Sequence, residues 1–341
     1  MAYQPRALAE SLKVTGLTPT RANFQKILKM LAEKKRPELI LGILDPVLNW
    51  SFQPDERDYT VGISVCGRQK LWQHACWLFS SMASAKIPVD VFACSATISA
   101  CEKGGQWQQA LTLFEAMPRL KVDRNLVSYN ATISACAKAG EWKVALKLFD
   151  NMCEAKVKPD VVSHSAVISA YEKGGQWQQA LNVFEVMFGA EVSPNVFSYA
   201  SVISACEKAG QWQQALSLLE AMPRSTVGRN VISYSAAISA CEKGGQWRQA
   251  LILFEDMQGA TIRADVICYS AAISACEKAG QWQHALGLFD QMPNAQVVPN
   301  FFTYAAAISA CEKDGQWQLA LSFFNAMRRA KMSLIKFDET P

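Results

Sequence analysis

The chain has 341 residues, half of them hydrophobic, and a net charge of +4, an ordinary balance for a folded globular chain. No stretch approaches the roughly 18 apolar residues of a membrane-spanning helix, so no membrane partner is expected. The mild positive charge does not by itself announce nucleic acid, and any electrostatic case must come from where the charges sit.

In chain order, residues 1–20 carry no apolar signal core, and Arg6 and Lys13 are offset by Glu10, so they make a poor transit peptide. Their last part, LAESLKVTGLTPT at 8–20, resembles LFDNMCEAKVKPD at 148–160. Residues 1–20 are therefore read as a partial repeat or N-terminal extension, which leaves room for the natural array to begin before Met1. Residues 21–55 form a weak copy that ends in Pro54-Asp55, as a later copy ends in Pro159-Asp160. From Glu56 the period is strict. Trp72, Trp107, Trp142, Trp177, Trp212, Trp247, Trp282 and Trp317 are spaced by 35, and so are the methionines from Met82 to Met327. The frame is 56–90, 91–125, 126–160, 161–195, 196–230, 231–265, 266–300 and 301–335, with a short tail at 336–341.

The copy 196–230 is representative. Tyr199, Ile203 and Cys206 fall at i, i+4 and i+7, the apolar stripe of a helix. Ala209-Gly210 breaks it, and Trp212, Ala215, Leu216, Leu219 and Met222 mark a second helix. One such pair cannot bury both stripes, but stacked neighbours can, so the expected class is all-α, an α-solenoid with a superhelical groove. Pro118, Pro223 and Pro293 follow the repeat methionine directly and are expected to end their second helices early.

The first helix carries another stripe. Positions 2, 5, 9, 12 and 13 of each copy cluster on one side, away from the buried positions 4, 8 and 11. Position 2 is apolar in seven copies, position 5 is small or modest, position 9 is serine in all eight, and position 13 is always cationic. Small residues leave room for a ligand, apolar side chains offer flat surface for bases, and one cation per copy matches a polymer with one negative charge per unit. Position 12 is glutamate in six copies, so a solvated, charge-balanced helix end is the alternative, and with it a protein-binding scaffold.

No catalytic constellation accompanies this face. The 11 cysteines are odd in number and contain no Cys-x-x-Cys pair, which argues against both a disulfide framework and a zinc site. Seven of them recur at position 11 and read as core. The tryptophan at position 17 reads as packing between copies, with stacking on RNA as the alternative. His74, His164 and His284 lie in no His-x-Glu motif, and no base accompanies the recurrent serines. No cofactor, no metal and no enzymatic activity are expected.

The segment VSYNATISACAKAGEWKVALKLFDNMCEAKVKPD at 127–160 closely resembles the pentatricopeptide repeat, with its V-x-Y-N start, K-A-G turn, A-L-x-L-F helix and K-P-D end. The resemblance extends over residues 21–335. It implies a right-handed α-solenoid superhelix of 35-residue helix–turn–helix units that binds single-stranded RNA, one base per repeat, without a C-terminal catalytic domain. It further implies that residues 5 and 35 of each copy read the base. These are Thr60 with Asp90, Ser95 with Asn125, Asn130 with Asp160, Ser165 with Asn195, Ala200 with Asn230, Ser235 with Asp265 and Ser270 with Asn300. The implied order is G, A, U, A, unassigned, G, A, running 5′ to 3′ with the chain. Residue 2 would sandwich the base (Phe92, Val127, Val162, Phe197, Ile232, Ile267 and Phe302), with Arg57 breaking that rule. The cations Arg68, Lys103, Lys138, Lys173, Lys208, Lys243, Lys278 and Lys313 would face phosphates. Ala200 and Ala305 cannot hydrogen-bond a base, and the last copy ends in Ile335, so it is read as a cap. Family habit implies a monomer in RNA metabolism of an organelle, the chloroplast ahead of the mitochondrion, with other RNA-processing proteins as further partners.

Overall fold

The computed structural model describes residues 55–330, so the readings of 1–20, most of 21–55, Ile335 and the tail 336–341 lie outside the described residues. The chain divides into two compact units, the first ending at Gly174 and the second beginning at Gly175. The first holds α1 (Glu56–Arg68), α2 (Trp72–Ser84), α3 (Val91–Lys103), α4 (Trp107–Ala116) with a 3-10 turn at Met117–Leu120, α5 (Leu126–Ala139), α6 (Trp142–Glu154) and α7 (Val161–Lys173). The second holds α8 (Trp177–Gly189), α9 (Val196–Lys208), α10 (Trp212–Arg224), α11 (Val231–Lys243), α12 (Trp247–Gly259), α13 (Val266–Lys278), α14 (Trp282–Asn294), α15 (Phe301–Lys313) and α16 (Trp317–Arg329). No strand occurs among the described residues, and each unit is an α-solenoid of repeating helix pairs.

Each first helix starts on a capping residue. Asp55, Asp90, Asn125, Asp160, Asn195, Asn230, Asp265 and Asn300 sit at the N-cap with extended backbone, and each side chain accepts a backbone N–H from the first turn. In the copies opened by Asn125, Asp160, Asn195 and Asn230, a serine at the third helical position closes the box by accepting the cap's own N–H.

Both helices of a copy end with a residue in the left-handed region. After the first helix this is Lys70 in the first described copy (φ 60°) and glycine in the others, as at Gly105 and Gly245 (φ 72° and 68°). The Gln106 N–H then reaches back to the Cys101 carbonyl at 2.9 Å, which satisfies an orphaned end group. After the second helix the same geometry falls on residues with side chains: Lys86, Lys121, Lys156, Glu191, Thr226, Thr261 and Gln296, all near φ +57 to +59°. A β-branched residue is least comfortable there. Thr261→Gly is therefore expected to stabilise the fold by about 1 kcal/mol, read as a higher urea midpoint. An unchanged or lower midpoint would mean that Thr261 stores no strain.

The core follows the period. Ile63, Ile98, Met82, Met152 and Cys136 are fully buried in the first unit, as are Ile203, Ile238, Met222, Met257 and Cys241 in the second. A phenylalanine of one second helix meets the tyrosine of the next first helix edge-on: Phe114 with Tyr129, Phe184 with Tyr199 and Phe254 with Tyr269, each at 4.8 Å. His164 replaces that tyrosine and keeps the contact, 5.2 Å from Phe149, while its Nδ1 lies 2.8 Å from the Asp160 carbonyl oxygen. The tryptophans pack between copies. A Cβ at Gly104, Gly174 or Gly244 would fall within 2.5 Å of the indole of Trp72, Trp142 or Trp212, respectively. These indoles are partly covered, and Trp317 is 67% exposed.

The prolines differ from expectation. The helix does stop before Pro118, but α10 and α14 run through Pro223 and Pro293. Each of these prolines lies in the last turn, where it leaves unpaired the carbonyl four residues back. For Pro223 that is Leu219, and the Arg229 Nε donates to it at 3.0 Å. Arg124 does the same for Phe114 behind Pro118, at 3.2 Å, with its guanidinium 4.3 Å from the Phe114 ring centre. A side-chain donor thus replaces the missing backbone one.

Candidate nucleic-acid interface

Within each unit the first helices of successive copies lie side by side: α1, α3, α5 and α7 in one, α9, α11, α13 and α15 in the other. Their shared face carries the positions singled out in the sequence.

The apolar residues at position 2 point to solvent. Phe92, Phe197 and Phe302 are 68 to 71% exposed, and Val127, Val162, Ile232 and Ile267 are about half exposed. Burial offers no reason for apolar side chains at all seven places. Arg57 is exposed in the same position. On the next turn, position 5 is recessed. Ser95 is buried, and Thr60, Asn130, Ser165, Ala200, Ser235, Ser270 and Ala305 are half-buried. Several of these hydroxyls turn back on their own helix: Thr60 donates to the Glu56 carbonyl, Ser165 to Val161, Ser235 to Ile232 and Ser270 to Val266.

Position 35 comes up beside position 5. The Asn130 amide donates to the Asp160 carboxylate at 3.0 Å, and the Ser95 hydroxyl reaches Asn125 Oδ1 at 3.4 Å. Ser163 ties the first of these together, its Oγ lying 2.6 Å from Asn130 Oδ1 and 2.9 Å from Asp160 Oδ1, so that its one proton serves either acceptor. Burial by itself would raise the Asp160 carboxyl. Donation from the Ser163 N–H and hydroxyl, the Asn130 amide and the Val162 N–H outweighs it and holds the group below its ordinary value. The sign follows: this contribution to stability is present above the ordinary carboxylate range and is lost as pH falls through the lower folded value. Every residue at position 35 named above is also the N-cap of the next helix, a second task the sequence reading did not give it.

The cations at position 13, Arg68 and Lys103 through Lys313, are all exposed. Their carboxylate partners are not their own neighbours at position 12. Lys138 pairs with Glu102, Lys243 with Glu207, Lys278 with Glu242 and Lys313 with Glu277, at 2.5 to 2.6 Å, each reaching back to the preceding copy. The serines at position 9 do more than leave room. Ser134, Ser274 and Ser309 donate to the same glutamates Glu102, Glu242 and Glu277 at 2.8 to 2.9 Å. Lys208 is exposed, and Lys173 donates to the Lys138 carbonyl at 2.8 Å. Between α13 and α15 the face opens into a cleft of about 450 Å³, walled by Ile267, Ser270, Phe302 and Ala305 with Glu242 and Glu277 beneath.

The residues that could have carried chemistry lie elsewhere. The position-11 cysteines are buried, and burial pushes Cys66 up to about 12 and Cys136, Cys206, Cys241 and Cys276 up to about 11, so they stay as thiols. Among the described residues no three His, Cys, Asp or Glu side chains gather as a metal site.

The described copies thus share a cation at position 13, an exposed apolar residue at position 2 in seven of them, and a paired polar couple in at least two. The family profile described as "Pentacotripeptide-repeat region of PRORP" matches residues 49–236, more than half of the chain. The chain belongs to the pentatricopeptide repeat family. Further pentatricopeptide repeat profiles match residues 232–262, 264–313 and 302–332. Among solved structures, the pentatricopeptide repeat protein PPR10 from maize is similar over 91% of this chain and 44% of its own, at 24% identity and a TM-score of 0.63. A structure of PPR10 in complex with an 18-nt psaJ RNA element is similar over 96% of this chain and 53% of its own, at 18% identity and a TM-score of 0.58. The chain thus spans about half the length of these pentatricopeptide repeat structures, and the likeness is one of fold. No curated protein gives a significant match.

Proposed function

We propose that this pentatricopeptide repeat array binds single-stranded RNA in a sequence-selective manner, one base per repeat, and acts by occupancy rather than catalysis. The observation that carries the reading is the run of exposed apolar residues at position 2, with a recessed polar couple in contact at positions 5 and 35 of two copies, Asn130 with Asp160 and Ser95 with Asn125. An exposed flat apolar surface suits an unstacked base, and the couple beside it offers donors and acceptors to the base edge. Support also comes from the fold shared with PPR10, which is itself described in complex with an RNA element. The assigned readers are the seven couples from Thr60 with Asp90 to Ser270 with Asn300, in the order G, A, U, A, unassigned, G, A. On family habit the activity belongs to organellar RNA stabilisation, processing or translation, with the plastid ahead of the mitochondrion.

Selection from a random RNA pool tests the order. The sharper test is the double change Asn130→Ser with Asp160→Asn, which makes that couple like Ser95 with Asn125. The preferred base at that single step is expected to move from U to A. A selected sequence that stayed the same would remove these residues from the reading role. Binding that ignored salt would instead favour a protein-binding scaffold, since phosphate contacts make RNA affinity fall with salt.

A further inference from the structure

The cation ladder is not uniform. Lys138, Lys243, Lys278 and Lys313 each hold a glutamate of the preceding copy, and those glutamates are only 12 to 16% exposed while the lysines are 42 to 54% exposed. Where a serine at position 9 donates to the same carboxylate, the anion is fixed in place from two sides. Among the described copies, the glutamate is missing at two steps. Gly67 stands at position 12 before Lys103, where a Cβ would come within 3.1 Å of Ala100, and Ala137 stands there before Lys173. Lys173 donates only to a carbonyl in place of a carboxylate.

We propose that the position-12 glutamates act as built-in phosphate mimics, so that the RNA backbone is gripped at Lys103 and Lys173 while Lys138, Lys243, Lys278 and Lys313 are held in reserve. This rests on the RNA reading above and deepens it. The physical reason is local charge. A free ammonium neutralises a phosphate and releases its condensed counterion, which is what drives binding and makes it salt-dependent. A lysine already paired at 2.5 to 2.6 Å presents no net charge to an incoming phosphate, which must share or displace the carboxylate. The glutamates therefore set how strongly the array holds any RNA, leaving base identity to the couples at positions 5 and 35. They also pin neighbouring first helices together when no RNA is bound.

The test measures affinity across a salt series for a short single-stranded RNA carrying the order G-A-U-A-N-G-A. Lys103→Ala and Lys173→Ala are each expected to flatten the log–log salt slope by about 0.7, one phosphate's worth. Lys278→Ala should flatten it by less. Glu242→Gln keeps an acceptor for Ser274 but frees Lys278, so it should steepen the slope by up to about 0.7 and tighten binding severalfold at low salt. In the Glu242→Gln background, Lys278→Ala should then remove that whole gain. Thermal unfolding of each variant checks that the stack persists. The proposal is overturned if Glu242→Gln leaves the slope unchanged, or if Lys278→Ala alone flattens it as much as Lys103→Ala. A wild-type protein with no salt-dependent RNA binding would instead remove the RNA reading itself, before any variant is compared.

Discussion

Phe197→Ala and Phe302→Ala should each weaken RNA binding by roughly 5- to 150-fold, from about 1–3 kcal/mol of stacking per base. Both rings are 71% exposed, on α9 and α15, so they add little to the core, and truncation should move stability by less than about 0.5 kcal/mol. A large loss of affinity at constant stability therefore isolates a ligand-facing role. Phe92 on α3, 68% exposed, is the equivalent probe in the first unit. Valine and isoleucine at the same position offer less flat area, so Val127→Ala and Ile232→Ala should cost less. Equal RNA affinity for Phe197→Ala and the wild type would show that this surface does not meet bases.

The second large effect concerns the seat between Trp212 and Gly244. A Cβ at Gly244 would lie 2.3 Å from Trp212 Cδ1 and 3.1 Å from its Cβ, so the indole could not escape by rotating its outer bonds alone. Gly244→Leu is expected to destabilise the fold by about 3 kcal/mol, and Gly244→Ala by about 1 kcal/mol. The neighbouring copies supply the control, because Ala209 and Ala279 occupy this position naturally. Gly245, one residue on, is glycine for a different reason. A Cβ there would meet nothing, but its φ of 68° lies in the left-handed region. Equilibrium unfolding in urea separates these cases. A Gly244→Leu protein with an unchanged midpoint would mean that the indole is free to move away.

Much of this architecture was legible because the period is strict. First helices begin at residues 56, 91, 126 and onward in steps of 35, and of the side that period 3.6 assigns to positions 2, 5, 9, 12 and 13, positions 2 and 13 face out while positions 5, 9 and 12 are largely recessed between neighbouring helices. The adjacency of positions 5 and 35 came from the family resemblance, and Asn130 with Asp160 lies within hydrogen-bond distance. The lysine partners were not legible. A pattern fixes the angle of a residue around its own helix but not the axial offset of the neighbouring helix, and that offset brings Lys278 to Glu242 rather than to Glu277. The prolines failed for a related reason. Local propensity predicts a break at Pro223, but the donor that compensates it, Arg229, comes from a loop ten residues after Leu219.

The double duty of the last residue in each copy limits how this surface can change. Asn125, Asp160 and their equivalents start the following helix as well as standing beside position 5. Asparagine, aspartate and serine cap almost equally well, whereas alanine or an aliphatic residue there costs about 1 kcal/mol. On the proposed reading, the recognition alphabet is thus bounded by folding. Lineages that retarget such an array can exchange Asn and Asp freely, but most other letters would loosen the next repeat as they altered the one before it.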